Sequence, residues 1–243
     1  DESFNSYGSF EIGQEINHCV INPYRTKGGN DTLIVTCINN QLLKSIIYKI
    51  NLNDAENLAS VLVEKDGIKA LNSKMEEMSL LNTGISCELM NSSYHTNKLL
   101  VCFVIDDKDY LLNAILINPE NSLEIVSYSN NFKNAGNSFN TRSVLKPNQK
   151  ESIICFIDMM NSFLCLTYDI QSNEFTDIKK IINRCLIYPF DLGVNYIKEK
   201  NEYSVFCTTD YQEIYFKKID ENLNEICHEN VILSSMGVYS FYS

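Results

Sequence analysis

Positive charge is scarce in this chain of 243 residues: 20 Lys and Arg stand against 31 Asp and Glu, a formal net charge of −11 at pH 7. Neutralising nucleic acid or an anionic membrane surface takes clustered cations, so nucleic acid is not an expected partner. No uninterrupted apolar run approaches the roughly 18 residues a membrane helix needs, which argues against direct membrane insertion. The opening Asp1-Glu2-Ser3-Phe4 lacks the charged-then-apolar layout of a signal peptide, so the chain reads as a mature soluble product or an ectodomain piece.

Histidine is also rare. Only His18, His95 and His228 occur, none in an HExxH or paired-ligand spacing, and no GxSxG is present. No local signature therefore points to a metal, a cofactor or a catalytic nucleophile. Nine cysteines are present without one CxxC pair, which removes the zinc-ribbon and thioredoxin readings. With hydrophobic residues at 44%, charged residues at 21%, 14 Tyr and 12 Phe, the chain has the composition of a globular protein. Its length fits one all-β domain over residues 1–243.

A unit recurs along the chain. An apolar strand ending in or near Cys is followed by a polar turn, then by a second apolar strand and an Asn/Asp/Ser-rich turn. The first strands are Leu33-Ile34-Val35-Thr36-Cys37, Leu99-Leu100-Val101-Cys102-Phe103, Ser152-Ile153-Ile154-Cys155-Phe156 and Tyr203-Ser204-Val205-Phe206-Cys207. The turns that close the second strands are Asn51-Leu52-Asn53-Asp54, Asn118-Pro119-Glu120-Asn121, Gln171-Ser172-Asn173-Glu174 and Asp220-Glu221-Asn222-Leu223. Such residues tolerate left-handed backbone or bond their own backbone, as tight turns require. Weaker alternating segments such as Leu123-Glu124-Ile125-Val126-Ser127-Tyr128 and Phe175-Thr176-Asp177-Ile178 follow as outer strands. Between the first and second units, residues Ile68 to Leu80 place Ala70, Leu71, Met75, Met78 and Leu80 at three- and four-residue steps, the spacing of one short amphipathic helix.

Residues opposed across a hairpin have numbers summing to twice the centre of the turn, so disulfide registers can be written down from sequence. Cys19 with Cys37 centres on Gly28, Cys87 with Cys102 between Tyr94 and His95, Cys155 with Cys165 on Met160, and Cys185 with Cys207 on Tyr196. Opposed residues of antiparallel strands lie within disulfide reach, so four staples within sheets are expected, with buried free cysteines as the bland alternative. Cys227 is left unpaired by this scheme, open to bridging another chain as a structural subunit would.

Taken together, this strand-and-cysteine rhythm resembles the β-propeller superfamily. It is most similar to the secreted, cysteine-rich propellers, of which the cysteine-rich protective antigen of malaria parasites is one. The resemblance implies an array of four-stranded antiparallel sheets in four to five blades, interrupted by the one short helix. WD dipeptides, kelch double glycines and the sialidase Asp-box are absent, and the chain has no Trp. The terminal segments Ser9-Phe10-Glu11-Ile12 and Met236-Gly237-Val238-Tyr239-Ser240-Phe241-Tyr242 read as a closing and an opening strand, as a piece of a longer propeller would carry.

For function, Asp106-Asp107-Lys108-Asp109 lacks the glycine and distal Glu of a calcium loop and reads as a solvated hairpin tip. Asp169 and Asp220 recur at equivalent blade positions and have the look of a glycosidase dyad, but the first two units carry Lys49 and Leu116 or Ile117 instead. Tyr94, Tyr110, Tyr188, Phe190 and Tyr211 fall at loop or hairpin-tip positions, where aromatic rings anchor interfaces. Asn30-Asp31-Thr32 and Asn91-Ser92-Ser93 are glycan acceptors in a secreted chain. The expected function is an extracellular binding or adhesion module that recognises a protein or glycan partner at a cell surface through its blade loops. The alternative is a glycoside hydrolase or sialidase-like propeller enzyme.

Overall fold

The computed structural model describes residues 16–39, 42–50, 59–71, 75–80, 84–92, 98–135, 141–158, 160–183, 185, 192–208 and 213–232. Each apolar segment of the repeat becomes a strand. The first sheet runs β1 (Ile16–Arg25), β2 (Asp31–Asn39), β3 (Leu42–Ile50), β4 (Ala59–Ile68), in that order and antiparallel throughout. The second runs β5 (Ile85–Asn91), β6 (Lys98–Ile105), β7 (Leu111–Asn118), β8 (Glu124–Tyr128), with the short β9 (Lys133–Asn134) also on β7. In the third, β10 (Thr141–Leu145), β11 (Glu151–Ile157) and β12 (Ser162–Asp169) are followed by β13 (Glu174–Phe175) and β14 (Lys179–Asn183), both paired with β12. The fourth is β15 (Gly193–Ile197), β16 (Glu202–Thr208), β17 (Glu213–Ile219), β18 (Glu225–Ile232).

The cysteine-bearing strand of every repeat is the second strand of its sheet. In the two middle sheets it is buried along nearly its whole length because both of its faces are covered. In β6, Leu100, Cys102 and Val104 turn toward the first sheet while Leu99, Val101, Phe103 and Ile105 turn toward the third. Similarly Ile154 and Phe156 of β11 face the second sheet, and Ile153, Cys155 and Ile157 the fourth. Most of the core is thus divided among three seams between consecutive sheets, a smaller cluster of Val35, Cys37, Ile46 and Tyr48 lies on the other face of the first sheet, and a one-residue slip of register would exchange the two linings of a strand. The seam between the second and third sheets centres on Phe103, Tyr168 and Phe175, whose ring centroids lie 5.1 to 6.2 Å apart.

First strands meet one another: β1 lies beside β5, β5 beside β10, and β10 beside β15. The four sheets therefore turn about a common line formed by their first strands, with the later strands outward. This is the β-propeller arrangement, and the four sheets are its blades.

Two expectations need correction. No helix forms among the described residues of 68–80. Instead, β4 ends at Ile68, Met78 N donates to Ala70 O at 2.9 Å, and Leu71 bridges Glu77 in antiparallel fashion. The three- and four-residue steps arise because Ala70, Met78 and Leu80 drop separately into the first seam core, whereas Met75, within the same pattern, is 69% exposed. A helix would have placed Met75 on the buried stripe.

The second correction concerns the cysteines. Cys19–Cys37, Cys87–Cys102 and Cys155–Cys165 are disulfide-bonded register partners with Cα atoms 4.1, 4.1 and 4.2 Å apart. Cys185–Cys207 is also bonded, but not across a hairpin: β15 and β16 pair Gly193 with Phe206, so the hairpin centre falls near residues 199–200, not at Tyr196. Cys185 lies outside any strand, its amide donating to Asn161 O at the β11–β12 tip of the third blade. Its Cα is 5.8 Å from that of Cys207 on β16, so this bridge clamps one blade to the next.

Candidate functional site

The Asn/Asp/Ser-rich turn of the repeat is where the blades are joined and where the surface becomes concave. It is built the same way three times. The side chain of Asn118, Asp169 or Asp220 accepts the amide two residues on, from Glu120 at 3.0 Å, Gln171 at 2.8 Å and Asn222 at 2.9 Å. The chain then passes through left-handed backbone, at both Ser122 and Leu123 in the first turn (φ 49° and 57°) and at the single residues Asn173 and Leu223 in the others (φ 58° and 63°). Asp220 shows what the geometry does to a carboxyl. Burial pushes it up, but hydrogen bonds from the Asn224 backbone and side chain, then from Asn222, and the charge of Lys179 outweigh that and hold it below the ordinary carboxylate value. Asp169 and Asp220 therefore recur at equivalent positions as turn caps in separate blades, and they do not face each other as an acid–base dyad would.

Each turn reaches back onto the preceding blade. Glu120 accepts from the Tyr24 hydroxyl and, at 3.1 Å, from Lys27 N in the β1–β2 hairpin. Asn173 donates to Tyr128 O at 2.7 Å and its carbonyl accepts from Asn130 N at 2.8 Å. Lys179 Nζ donates to Asn222 O at 2.6 Å. Between the reaching turn and the hairpin of the preceding blade a groove remains in all three seams, along one edge of the molecule.

The three grooves differ in chemistry. The first, about 260 Å³, is lined by Tyr24, Arg25, Lys27, Leu89, Lys98 and Glu120 among others. The second, about 340 Å³, has apolar Leu99, Leu116, Val126 and Ile170 beside the amides of Asn130 and Gln171, with no charged group among the described residues of its wall. The third, about 320 Å³, mixes Lys146 and Lys179 with Glu151, Asp177 and Glu221. Lys146 in that wall is almost fully buried and pairs with Glu151 at 3.5 Å. Tyr203, fully buried at the same seam, has a hydroxyl with no hydrogen-bond partner among the described residues; burial, then the nearby Tyr196, Glu221 and Glu151, push it up to about 12.

Nearer the axis, the second seam holds a different group. Ser143 of β10 donates its hydroxyl to Glu88 Oε1 of β5 at 2.8 Å, and its amide donates to Ser86 Oγ at 2.9 Å. Burial pushes the Glu88 carboxyl up to about 7, and the bond from Ser143 only partly offsets this.

Of the residues singled out from sequence, Tyr110 sits half-buried at the β6–β7 tip with φ 54°, on the edge away from the grooves. Its carbonyl accepts from Ala135 N at 2.8 Å. Tyr94, Tyr188, Phe190, Tyr211 and His95, and the terminal strand segments, lie outside the described residues. Asp106 is not a solvated tip residue: it is 1% exposed, and its Oδ1 accepts from Ser79 N at 3.1 Å and Lys108 N at 3.0 Å. Asn30 lies exposed in the β1–β2 turn, whereas the Asn91 amide donates to Gln149 Oε1 at 3.1 Å across the second seam. Cys227 is half-buried on β18 opposite Lys218. The groove residues Tyr24, Lys27, Lys98, Glu120 and Asn130 were not singled out. The repeated turn was their signal, since a turn with a fixed polar cap marks the place where one unit touches the last.

No family model matches the chain, and no curated protein matches it. Solved structures do. An arginine-to-alanine triple variant of AofleA from Arthrobotrys oligospora superposes with a TM-score of 0.56 at 8% identity, over 90% of this chain and 57% of that one. The WD40 domain of Toxoplasma gondii coronin gives 0.46 at 10% identity, over 84% and 43%. A putative 6-phosphogluconolactonase from Bacteroides fragilis gives 0.44 at 13%, over 88% and 55%. The chain thus spans little more than half the length of that AofleA variant, and at 8% identity the likeness to it is one of fold.

Proposed function

We propose that the chain is an extracellular recognition module that binds a protein or glycan partner at a cell surface through the grooves and hairpins of one propeller edge. The observation that carries this reading is the repetition of the groove. Three successive seams end in open concavities walled by hydrogen-bonding side chains, and the carboxylates that a hydrolase would use there, Asp169 and Asp220, are committed to backbone amides. Rigid concavities with a few placed polar groups on an apolar floor are what ligand sites look like, and the second groove fits that description. The four disulfides fit an oxidising compartment, and they are the feature shared with the secreted cysteine-rich propellers. In that compartment the exposed Asn30 is the glycan acceptor of the two.

The hydrolase reading retains one observation: Glu88, a carboxyl raised into the range of a general acid. It acts as a single group hydrogen-bonded to Ser143, whereas glycoside cleavage takes two carboxyls flanking one bond. The test is a screen of the oxidised protein on a glycan array and on intact cells, followed by a hydrolysis assay on any glycan retained. Saturable binding without turnover supports the module. Turnover abolished by Glu88→Gln overturns it, and so does the absence of binding to every surface.

A further inference from the structure

Of the three grooves, the first carries the largest excess of positive charge in an acidic molecule. Three of the chain's 20 basic residues, Arg25, Lys27 and Lys98, line one cavity of about 260 Å³. Among the described residues of the lining, one carboxylate, that of Glu120, stands beside them; its Oε1 accepts from the Tyr24 hydroxyl and the Lys27 amide, and its negative charge leaves the cations in excess. Burial and the bond to Glu120 also push the Tyr24 hydroxyl up, so it stays a donor at any physiological pH. Arg25 meets Asp31 at 3.6 Å, but with side chains 74% and 81% exposed such a pair holds weakly in water. Lys27 and Lys98 make no ion pair with the described residues.

We propose that this groove binds the single anionic group of an acidic saccharide, the carboxylate of a terminal acidic sugar, with Arg25, Lys27 and Lys98 converging on it. This rests on the recognition-module reading and narrows it to a ligand class. Two features of the molecule select the class. The overall charge of −11 repels a polyanion as a whole, so a sulfated polymer or a strongly acidic peptide is turned away before it reaches the groove. One carboxylate on an otherwise neutral, hydroxyl-bearing ring is not. The groove also offers Tyr24, Pro23 and Leu89 as apolar flank beside the cations, a surface suited to the C–H face of a ring more than to an extended acidic side chain.

The experiment is equilibrium binding on the whole oxidised chain with four probes: a neutral oligosaccharide, the same oligosaccharide ending in one carboxylated sugar, a polysulfated heparin fragment, and an acidic peptide. The carboxylated probe is expected to bind at least about fivefold tighter than its neutral parent, and Lys27→Gln and Lys98→Gln each to weaken it about 5- to 10-fold, as loss of a charge-assisted bond does. Raising salt from 0.15 to 0.5 M should narrow that preference. Lys180→Gln, an exposed change on β14 outside the groove, should leave binding unaltered. Thermal midpoints of the three variants serve as the folding control. Equal binding of the two oligosaccharides, insensitivity to both groove variants, or preference for heparin or the peptide overturns the proposal. If the neutral oligosaccharide binds as well as the acidic one, the recognition module stands and only the charge assignment falls. If none of the probes binds and cells are not bound either, both fall.

Discussion

Leu123, Asn173 and Leu223 each stand at positive φ near the end of three successive turns, and left-handed backbone costs leucine about 1–2 kcal/mol. What offsets the strain is burial: Leu123 is fully enclosed in the first seam core and Leu223 nearly so in the third. Asn173 instead adopts the conformation cheaply and spends its side chain on Tyr128 O. Leu123→Ala should therefore cost about 2–5 kcal/mol of unfolding free energy, the usual range for emptying a core site. Leu123→Gly, which also relieves the left-handed strain, should be no less stable than the alanine variant, the reverse of the order at an ordinary strand position. Urea titration of the two variants checks this; a glycine variant clearly weaker than the alanine one would show that the turn carries no strain. Glu88 gives a prediction with pH. Its folded value of about 7 lies above the ordinary carboxyl value of 4.5, so the folded chain holds that proton more tightly than the unfolded chain does. The resulting stability is fully present below pH 4.5, is lost as pH rises toward 7 at no more than about 1.4 kcal/mol per unit, and is level above that. Glu88→Gln should abolish this slope, so the difference in unfolding free energy between variant and parent should grow from pH 5 to pH 8. A constant difference would mean that the carboxyl is solvated.

At the scale of the element, one pairing in the fourth blade depends on the absence of a side chain. Gly193 of β15 faces Phe206 of β16, and a Cβ at Gly193 would lie 2.0 Å from the Phe206 ring. Gly193→Ala should thus destabilise the chain by about 1–3 kcal/mol through overpacking, and Gly193→Ala with Phe206→Leu should recover most of that loss. Thermal melts of the single and double variants decide it, and strict additivity would rule out the collision. The strands themselves were legible from sequence because an apolar run of five to eight residues bounded by polar turns has few other ways to fold. Three of the disulfide registers were legible for a related reason: a hairpin is a symmetric object, and Cys19–Cys37, Cys87–Cys102 and Cys155–Cys165 obey its arithmetic. Two features were not. Ala70, Met78 and Leu80 imitate a helical stripe because a loop crossing a seam can drop residues into the core at any spacing, and only the pairing of Leu71 with Glu77 shows the difference. Likewise the grooves join residues 43 to 96 positions apart, from Lys179 with Asn222 to Tyr24 with Glu120, and nothing local announces which turn meets which hairpin.

At the scale of the molecule, stability is a chain of neighbour terms: the seam cores join blade one to two, two to three, and three to four. In such an array a local weakness is felt first by the unit beyond it. The clamp between the last two blades differs from the other disulfides in this respect. Cys19–Cys37, Cys87–Cys102 and Cys155–Cys165 each staple strands of one blade, and removing one loosens only that blade's hairpin. Cys185–Cys207 closes a separation of 22 residues and, through Cys185 N on Asn161 O, ties the third blade's hairpin tip to the fourth blade's second strand. Replacing both by serine removes a covalent tie of about 3 kcal/mol by loop-closure entropy. It also exposes two polar groups within an apolar seam made of Ile153, Phe163, Tyr203 and Val205. Amide exchange should therefore accelerate across β15 to β18 while β5 to β8, two seams removed, keep their protection. The Cys155→Ser, Cys165→Ser variant should instead accelerate exchange within β11 and β12. Uniform acceleration over all four blades in the first variant would show that the propeller opens as one cooperative body, in which case the inter-blade bridge serves global stability and not the docking of the last blade.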